Sequence, residues 1–400
     1  MIAFACNPVG TGEHWLGWGW AEAAAKNYEV TLLTWDRFGN EVRQHAAKLG
    51  IHPVCVGVPE AVNKLGDRGG LGRWLRQIVW HRKAARIARQ LHAKKPFDLV
   101  HQTTFHTFRI PFRAASMGVP AIWGPIAGGE SAPPGFSAWL GKMKNAELAR
   151  KVGNRLTLAH PGIRKSLGVC RAIFVSNHTT LNFLPAWCHA KCIVVPPNAV
   201  RGEMGAPRPR SPNPDGPLRL LFVGNCVGTR SIPLVIEALR RVPELNWRLT
   251  VVGSGSSVSD WKELVLKNSL GERVTFTGLV PRERIEDYYL EADAFVFPAL
   301  RDSGGSGLLE AMSYALPVVC CDWGGPAEIV DGNSGIKVSV ASPEAAIEGF
   351  VAAFKRLQAD PAWRLATGQN AFRRAGEIFS WSHKRAVLEA TYEGCLGARR

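Results

Sequence analysis

Residues 292–311 read ADAFVFPALRDSGGSGLLEA. The apolar run Ala294, Phe295, Val296, Phe297 is a buried strand: it is short, continuous, and stopped by Pro298, which has no backbone N–H to donate. A loop follows with Arg301, Asp302, Ser303, Gly304, Gly305, Ser306 and Gly307, then a helix from Leu308 to about Tyr314. Strand, glycine loop and helix start together make an anion site. The helix N-terminus carries about half a positive charge, and glycines let the backbone come close to a ligand. Seven residues separate Asp302 from Glu310. A carboxylate repels phosphate but accepts two sugar hydroxyls at once. A ligand carrying both phosphate and polyol, a sugar nucleotide, suits the loop and both acids.

The stretch continues as AMSYALPVV, residues 311–319. Paired acids at this spacing, an Ala-Met helix and a Pro-Val-Val strand resemble the signature of the family-4 retaining glycosyltransferases. The resemblance implies an α/β protein of GT-B fold, with two Rossmann-like doubly wound domains facing across a cleft. The donor would sit on the second domain and the acceptor on the first. Asp302 replaces the Glu that the family carries as first acid, which shortens the sugar-side contact by one methylene. Glu310 matches the second acid, which the family uses on the nucleotide ribose.

Four hundred residues exceed what one core organises, so two domains are expected. No apolar run reaches the ~18 residues of a membrane-spanning helix. The start, MIAFACNP, reads as a first strand rather than a signal peptide. Nine cysteines without a CxxC pair point to reduced thiols in the cytosol, not to a disulfide framework or a zinc site. The net charge of +16 lies wholly in residues 1–201, which hold 26 Lys and Arg against 10 acids. Residues 71–95 alone carry eight Lys and Arg and no acid, with Leu71, Trp74, Leu75, Ile78, Val79 and Leu91 at helical spacing as the expected core face. A second basic region, 138–171, has Glu147 as its only acid. Basic helices bearing tryptophan suit an anionic membrane surface. Nucleic acid is not expected, because no RNP, zinc-finger or helix-turn-helix signature accompanies the charge.

Along the chain, residues 2–6 form a strand, followed by the loop NPVGTGEH, a helix from about 15 to 26 and a strand at 29–34. This is the opening of a doubly wound domain. By the resemblance, Gly10, Thr11, Gly12 and Glu13 lie under the donor diphosphate. A strand at 97–101 ends in HQTTFH, where the family often has a second histidine near the reacting sugar. His101 and His106 are the candidates, since Thr103 occupies the expected position. The loop with Gly128 and Gly129 resembles an acceptor-side loop, and residues 196–200, PPNAV, resemble an element that precedes the interdomain linker. Residues 201–217, with five prolines and three glycines, have linker composition.

The second domain is expected over 218–379, the first over 1–200, with the last helix, about 380–400, packing back on the first. After the strand at 218–224, the family carries two cations on the donor diphosphate. Here they are Asn225, neutral, and Arg230, with Arg301 as a candidate substitute. The segment with Gly278, Leu279 and Val280 is implied to receive the nucleobase. The resemblance implies a retaining hexosyl transfer from a nucleoside diphosphate sugar, without metal or further cofactor. The expected acceptor is lipid-linked, such as a polyprenyl diphosphate, or a saccharide, in cell-surface polysaccharide or glycolipid assembly. The place would be the cytoplasm, peripheral to the inner membrane face. The rivals are a non-catalytic sugar-nucleotide-binding subunit and another GT-B enzyme such as a sugar-nucleotide epimerase.

Overall fold

The computed structural model describes every residue except 104–106, 203, 208–215 and 398–400, and the chain divides into two compact units. Unit 1 comprises Met1–Gly129, Val152–Pro197 and the C-terminal helix Trp381–Gly397. Unit 2 comprises Glu130–Lys151 and Asn198–Ser380.

Unit 1 is built on strands β1 (Ile2–Ala3), β2 (Val30–Trp35), β3 (Ile51–Val56), β4 (Val100–Gln102), β5 (Ala121–Ile126), β6 (Ala172–Val175) and β7 (Cys192–Val194). All pair in parallel, in the order β3-β2-β1-β4-β5-β6-β7. A parallel sheet must be covered on both faces. Leu32 and Leu33 show it: neighbours in β2 point to opposite faces, and both are buried. The strand order reverses at β1, which lies between β2 and β4. Such reversals open a crevice at the carboxyl ends of the strands.

The glycine in Trp18-Gly19-Trp20 has a packing reason. A Cβ at Gly19 would stand 2.0 Å from the Trp381 ring. Trp381 lies edge-on to Trp15 at 5.7 Å and to Trp20 at 5.8 Å, so the C-terminal helix is seated against the helix Glu13–Ala25.

The helix Gly70–Lys94 corrects one expectation. Of its expected core stripe, Leu71 is 87% exposed and Leu75 is also exposed, Trp74, Ile78 and Val79 are half-buried, and Leu91 alone packs against the core cluster. The buried face carries Arg76, Trp80, Ala84 and Ala88 instead. Alanines let the helix axis approach the sheet closely, and the Arg76 head group is partnered. Arg76 pairs with Asp67 at 2.7 Å and lies over the Trp35 ring at 4.5 Å. No described helix is long and apolar enough to cross a membrane.

Unit 2 is built on β8 (Leu218–Val223), β9 (Trp247–Val252), β10 (Val274–Gly278), β11 (Ala294–Phe297), β12 (Val318–Cys321) and β13 (Gly335–Val338). They too are all parallel, in the order β10-β9-β8-β11-β12-β13, with the reversal at β8. Two arginines are tied to Asp293, just before β11. Asp293 accepts from the Arg219 backbone N–H at 2.9 Å and from its guanidinium at 2.9 and 3.0 Å, and Arg364 stands 3.9 Å away.

The domain boundary differs from the expectation of a first domain running unbroken to residue 200. Residues Glu130–Lys151 leave unit 1 and pack into the core of unit 2 through Ala132, Phe136 and Leu140. Gly228 admits this segment, since a Cβ there would lie 2.0 Å from the Leu140 carbonyl oxygen. Trp323 Nε1 donates to the Ser131 carbonyl at 2.7 Å, and Lys142 pairs with Asp260 at 2.9 Å.

Candidate active site

The densest set of candidate residues lies at the carboxyl ends of β8 and β11, beside the reversal point of the second sheet. Asp302 organises it. One carboxylate oxygen accepts the N–H of Gly304 at 2.8 Å and also that of Gly305, which folds the loop back on itself. The other oxygen is paired with the Arg230 guanidinium. Arg230 also donates to the Arg301 carbonyl at 3.2 Å and covers the Phe297 ring at 5.0 Å. Leu300 N–H donates to the Thr229 carbonyl at 2.9 Å, so the loops after β8 and β11 are joined through backbone as well.

Gly305 takes a left-handed φ of 53° and starts the helix Ser306–Ser313. A side chain there would strike Ile329 and Leu308 at 2.5 and 2.7 Å. The Asn198 amide donates to the Gly304 carbonyl at 2.5 Å, and Gly325 N–H donates to the Asp302 carbonyl at 2.8 Å. Asn198 belongs to the PPNAV element, and its role here is to hold the loop. Ser303 and Gly307 are half-buried at the helix start, and Ser306 is exposed. Glu310, also exposed, is the next turn of the same helix, and the buried Tyr289 donates to it at 3.3 Å from behind. Tyr289 in turn stacks on Tyr314 at 5.0 Å. Partial burial and the nearby Arg282 push the Arg201 pKa down, while Glu310 acts against that shift, so Arg201 lies within electrostatic reach of this carboxylate.

Asn225 is exposed at the end of β8. The Gly278 carbonyl accepts from Gly253 N–H at 2.9 Å, Leu279 is exposed, and Val280 packs against the core of the unit. Thus Arg230, Arg301, Asp302, the 303–307 loop, Glu310 and the 278–280 turn all follow the carboxyl ends of strands in the same sheet.

Arg301 is tied down by a residue that was not a candidate. Glu147, buried, stands 2.9 Å from Arg301 Nε as a charge pair not aligned for a hydrogen bond. Its other oxygen accepts from Ala132 N–H at 3.1 Å. Its signal in the sequence was its isolation, a lone acid in a basic segment.

In unit 1, Gly10, Thr11, Gly12 and Glu13 follow β1 and open the helix Glu13–Ala25, with Gly12 at φ 57°. Gly128 accepts from the Asn154 amide at 2.6 Å. Gly129 is packed so closely on Thr180 and Phe183 that a Cβ would come within 2.9 Å of either.

His101 requires correction as a candidate. It is wholly buried inside β4, with Nε2–H donating to the Gly124 carbonyl at 2.8 Å and Nδ1 accepting from the Tyr392 hydroxyl at 2.8 Å. Burial pushes its pKa down to about 3, and that of buried His81 also to about 3. His106 lies outside the described residues. A pH dependence follows. Both imidazoles are held neutral in the fold, while the unfolded chain protonates them near 6.5. Their contribution is present above pH 6.5 and is lost as pH falls from 6.5 toward 3, at roughly 1.4 kcal/mol per pH unit for each histidine. Urea unfolding at pH 7, 6, 5 and 4 should show this slope, and His101→Gln should flatten it by about half; a profile identical in the variant would contradict it.

With this geometry in place, residues 206–374 match the family described as Glycosyl transferases group 1. The matched residues include every strand of the second sheet. The chain is 34% identical over 226 residues to D-inositol 3-phosphate glycosyltransferase of Kineococcus radiotolerans, a match covering 51% of each chain. It is 33% identical over 137 residues to the lipopolysaccharide core biosynthesis mannosyltransferase LpcC of Rhizobium leguminosarum, covering 34% of this chain and 37% of that one. Over these matches the chain spans about half, or less, of its relatives' length. Among solved structures, Anabaena HepE in complex with UDP superposes with a TM-score of 0.62 at 12% identity, over 98% of both chains. The fold is therefore GT-B, with two Rossmann-like parallel sheets.

Proposed function

We propose that the chain is a retaining glycosyltransferase of family 4. It would move a hexosyl unit from a nucleoside diphosphate sugar to a lipid-linked or saccharide acceptor, as in cell-surface polysaccharide or glycolipid assembly. The observation that carries this reading is the Asp302–Glu310 loop, locked by Arg230, Asn198 and Gly325 at the reversal point of the second sheet. Glu310 would accept the two ribose hydroxyls. The 278–280 turn would receive the base, and the start of the helix Ser306–Ser313 with Arg230 would meet the diphosphate. Arg230 neutralises the leaving phosphate, and fixed dipoles of this kind can be the largest catalytic term. Attack from the sugar's front face, with the leaving phosphate assisting the acceptor's deprotonation, gives retention without a protein nucleophile. A bound metal is not part of this reading. That HepE was solved with UDP supports a uridine donor as the first to try.

The acceptor side of the reading rests on charge and exposure. The helix Lys144–Ala159 exposes Leu148 (63%), Val152 (52%) and Leu156 (69%) four residues apart, on one face, among Lys144, Lys151 and Arg155. That pattern suits a peripheral position on an anionic membrane face.

Incubation with UDP-, GDP-, ADP- and TDP-hexoses, with and without membrane lipid extract, tests the reading through free nucleoside diphosphate. Release from one donor, raised by lipid and reduced at least tenfold in Glu310→Ala, is expected. Donor binding without release under every condition would favour the non-catalytic subunit.

A further inference from the structure

The strongest charge on the chain that the donor reading leaves unused is in unit 1. A recess of about 520 Å3 lies between the helices Gly70–Lys94 and Pro161–Val169, continuous with a second of about 380 Å3. Four arginines and a lysine converge on it from three elements: Arg82, Arg86 and Arg89 from the first helix, Arg113 from the loop after β4, and Lys165 from the second helix. Among the described residues, no acidic side chain lines either recess. Among the described residues none of these five cations has a carboxylate partner. Arg89 donates to the Arg113 carbonyl at 2.6 Å, a contact that holds its guanidinium without neutralising it.

A merely solvated basic face would spread such charges over a convex surface, where water and salt screen them. Here they face one another across a concavity, which concentrates a positive potential. Burial lowers the Arg113 pKa, and Arg82 and Arg89 lower it further, so the guanidinium groups repel one another. His160 at the rim accepts Gly162 N–H on Nδ1 at 3.0 Å, which places its own N–H on Nε2 as a further donor. The adjoining recess is apolar along Ile78, Ile110, Leu156 and Ile163. A polar slot rich in guanidinium forks, next to an apolar one, matches an anion with a hydrocarbon tail.

We propose that this recess is a second binding site, for the phosphate or diphosphate group of an anionic ligand. It is separate from the donor loop of unit 2 and does not depend on that loop's assignment. The apolar half favours a lipid as the source of the phosphate, and a free phosphate is the other source.

The test is calorimetric titration of the full chain with inorganic pyrophosphate and with farnesyl diphosphate. The parent is compared with Arg82→Glu/Arg113→Glu, with the milder Arg86→Gln/Lys165→Gln, and with Lys267→Glu as a charge control on unit 2. These side chains are exposed, and melting curves check that each variant is folded. Pyrophosphate affinity should fall at least tenfold in both recess variants and not in the control. Farnesyl diphosphate binding tenfold tighter than pyrophosphate would support the site with a lipid source; equal affinities would support it with a soluble one. Affinities for both ligands unchanged in the folded recess variants, or no binding of either by the parent, would overturn the proposal.

Discussion

Arg230→Ala should lower the turnover of the sugar nucleotide by about 10²–10³-fold, the usual effect of removing one preorganised donor from developing negative charge. Arg230 is the cation that the loop after β8 contributes, because the other position there is the neutral Asn225. Its guanidinium is already aimed: it is held by Asp302 and by the Arg301 carbonyl and braced on the Phe297 ring. A diphosphate arriving at the helix Ser306–Ser313 would meet a fork set in place beforehand. The loss should therefore fall on kcat more than on KM. Arg230→Lys should recover only part of it, since an ammonium cannot hold Asp302 and a phosphate oxygen in the same plane. Steady-state release of nucleoside diphosphate checks this. A loss under tenfold in kcat would move the burden to Arg301 or to the loop N–H groups.

Asp293→Ala should be the most damaging change for stability, with a loss of about 3–5 kcal/mol, the usual effect of removing one partner from a buried charge pair. Asp293 and Arg364 are both nearly inaccessible, and Arg219 adds a two-pronged contact to the same carboxylate. The substitution would leave the Arg364 guanidinium buried with only the Leu357 carbonyl at 2.8 Å. Asp293 lies just before β11, so the strand that delivers the donor loop would lose its anchor at the far end. Urea denaturation followed by tryptophan fluorescence checks it. A change under 1 kcal/mol would mean that water reaches the Arg364 head after substitution.

The site in unit 2 was legible where it is local. Asp302, the glycines and Glu310 lie within one strand–loop–helix, and the geometry of that loop follows from φ, capping and charge over a few residues. What holds the loop was not legible. Asn198 reaches Gly304, and Glu147 reaches Arg301, over more than a hundred residues of chain, and neither pairing leaves a periodic trace. The departure of Glu130–Lys151 into unit 2 is of the same kind. A Gly-Gly pair marks its start, but only the space left by Gly228 shows where it goes.

His101 failed through register. Expected at the end of a strand over 97–101, it sits in the middle of one over Val100–Gln102 and points into the core. A shift of one or two residues decides between crevice and interior. On the helix Gly70–Lys94, Leu71 and Leu75 pointed to the wrong face while Leu91 packs on the core, because close packing on the sheet is made mostly by Ala84, Ala85 and Ala88.

The most direct test of the donor site is calorimetric titration of UDP, GDP, ADP and TDP into the protein and into Glu310→Ala. One nucleotide should bind with 1:1 stoichiometry, and its affinity should fall about 10–100-fold in the variant, the size expected for hydrogen bonds to a charged group at roughly 1.5–3 kcal/mol. Equal affinities in parent and variant, or binding of none of the four, would contradict the assignment of this loop to a sugar nucleotide.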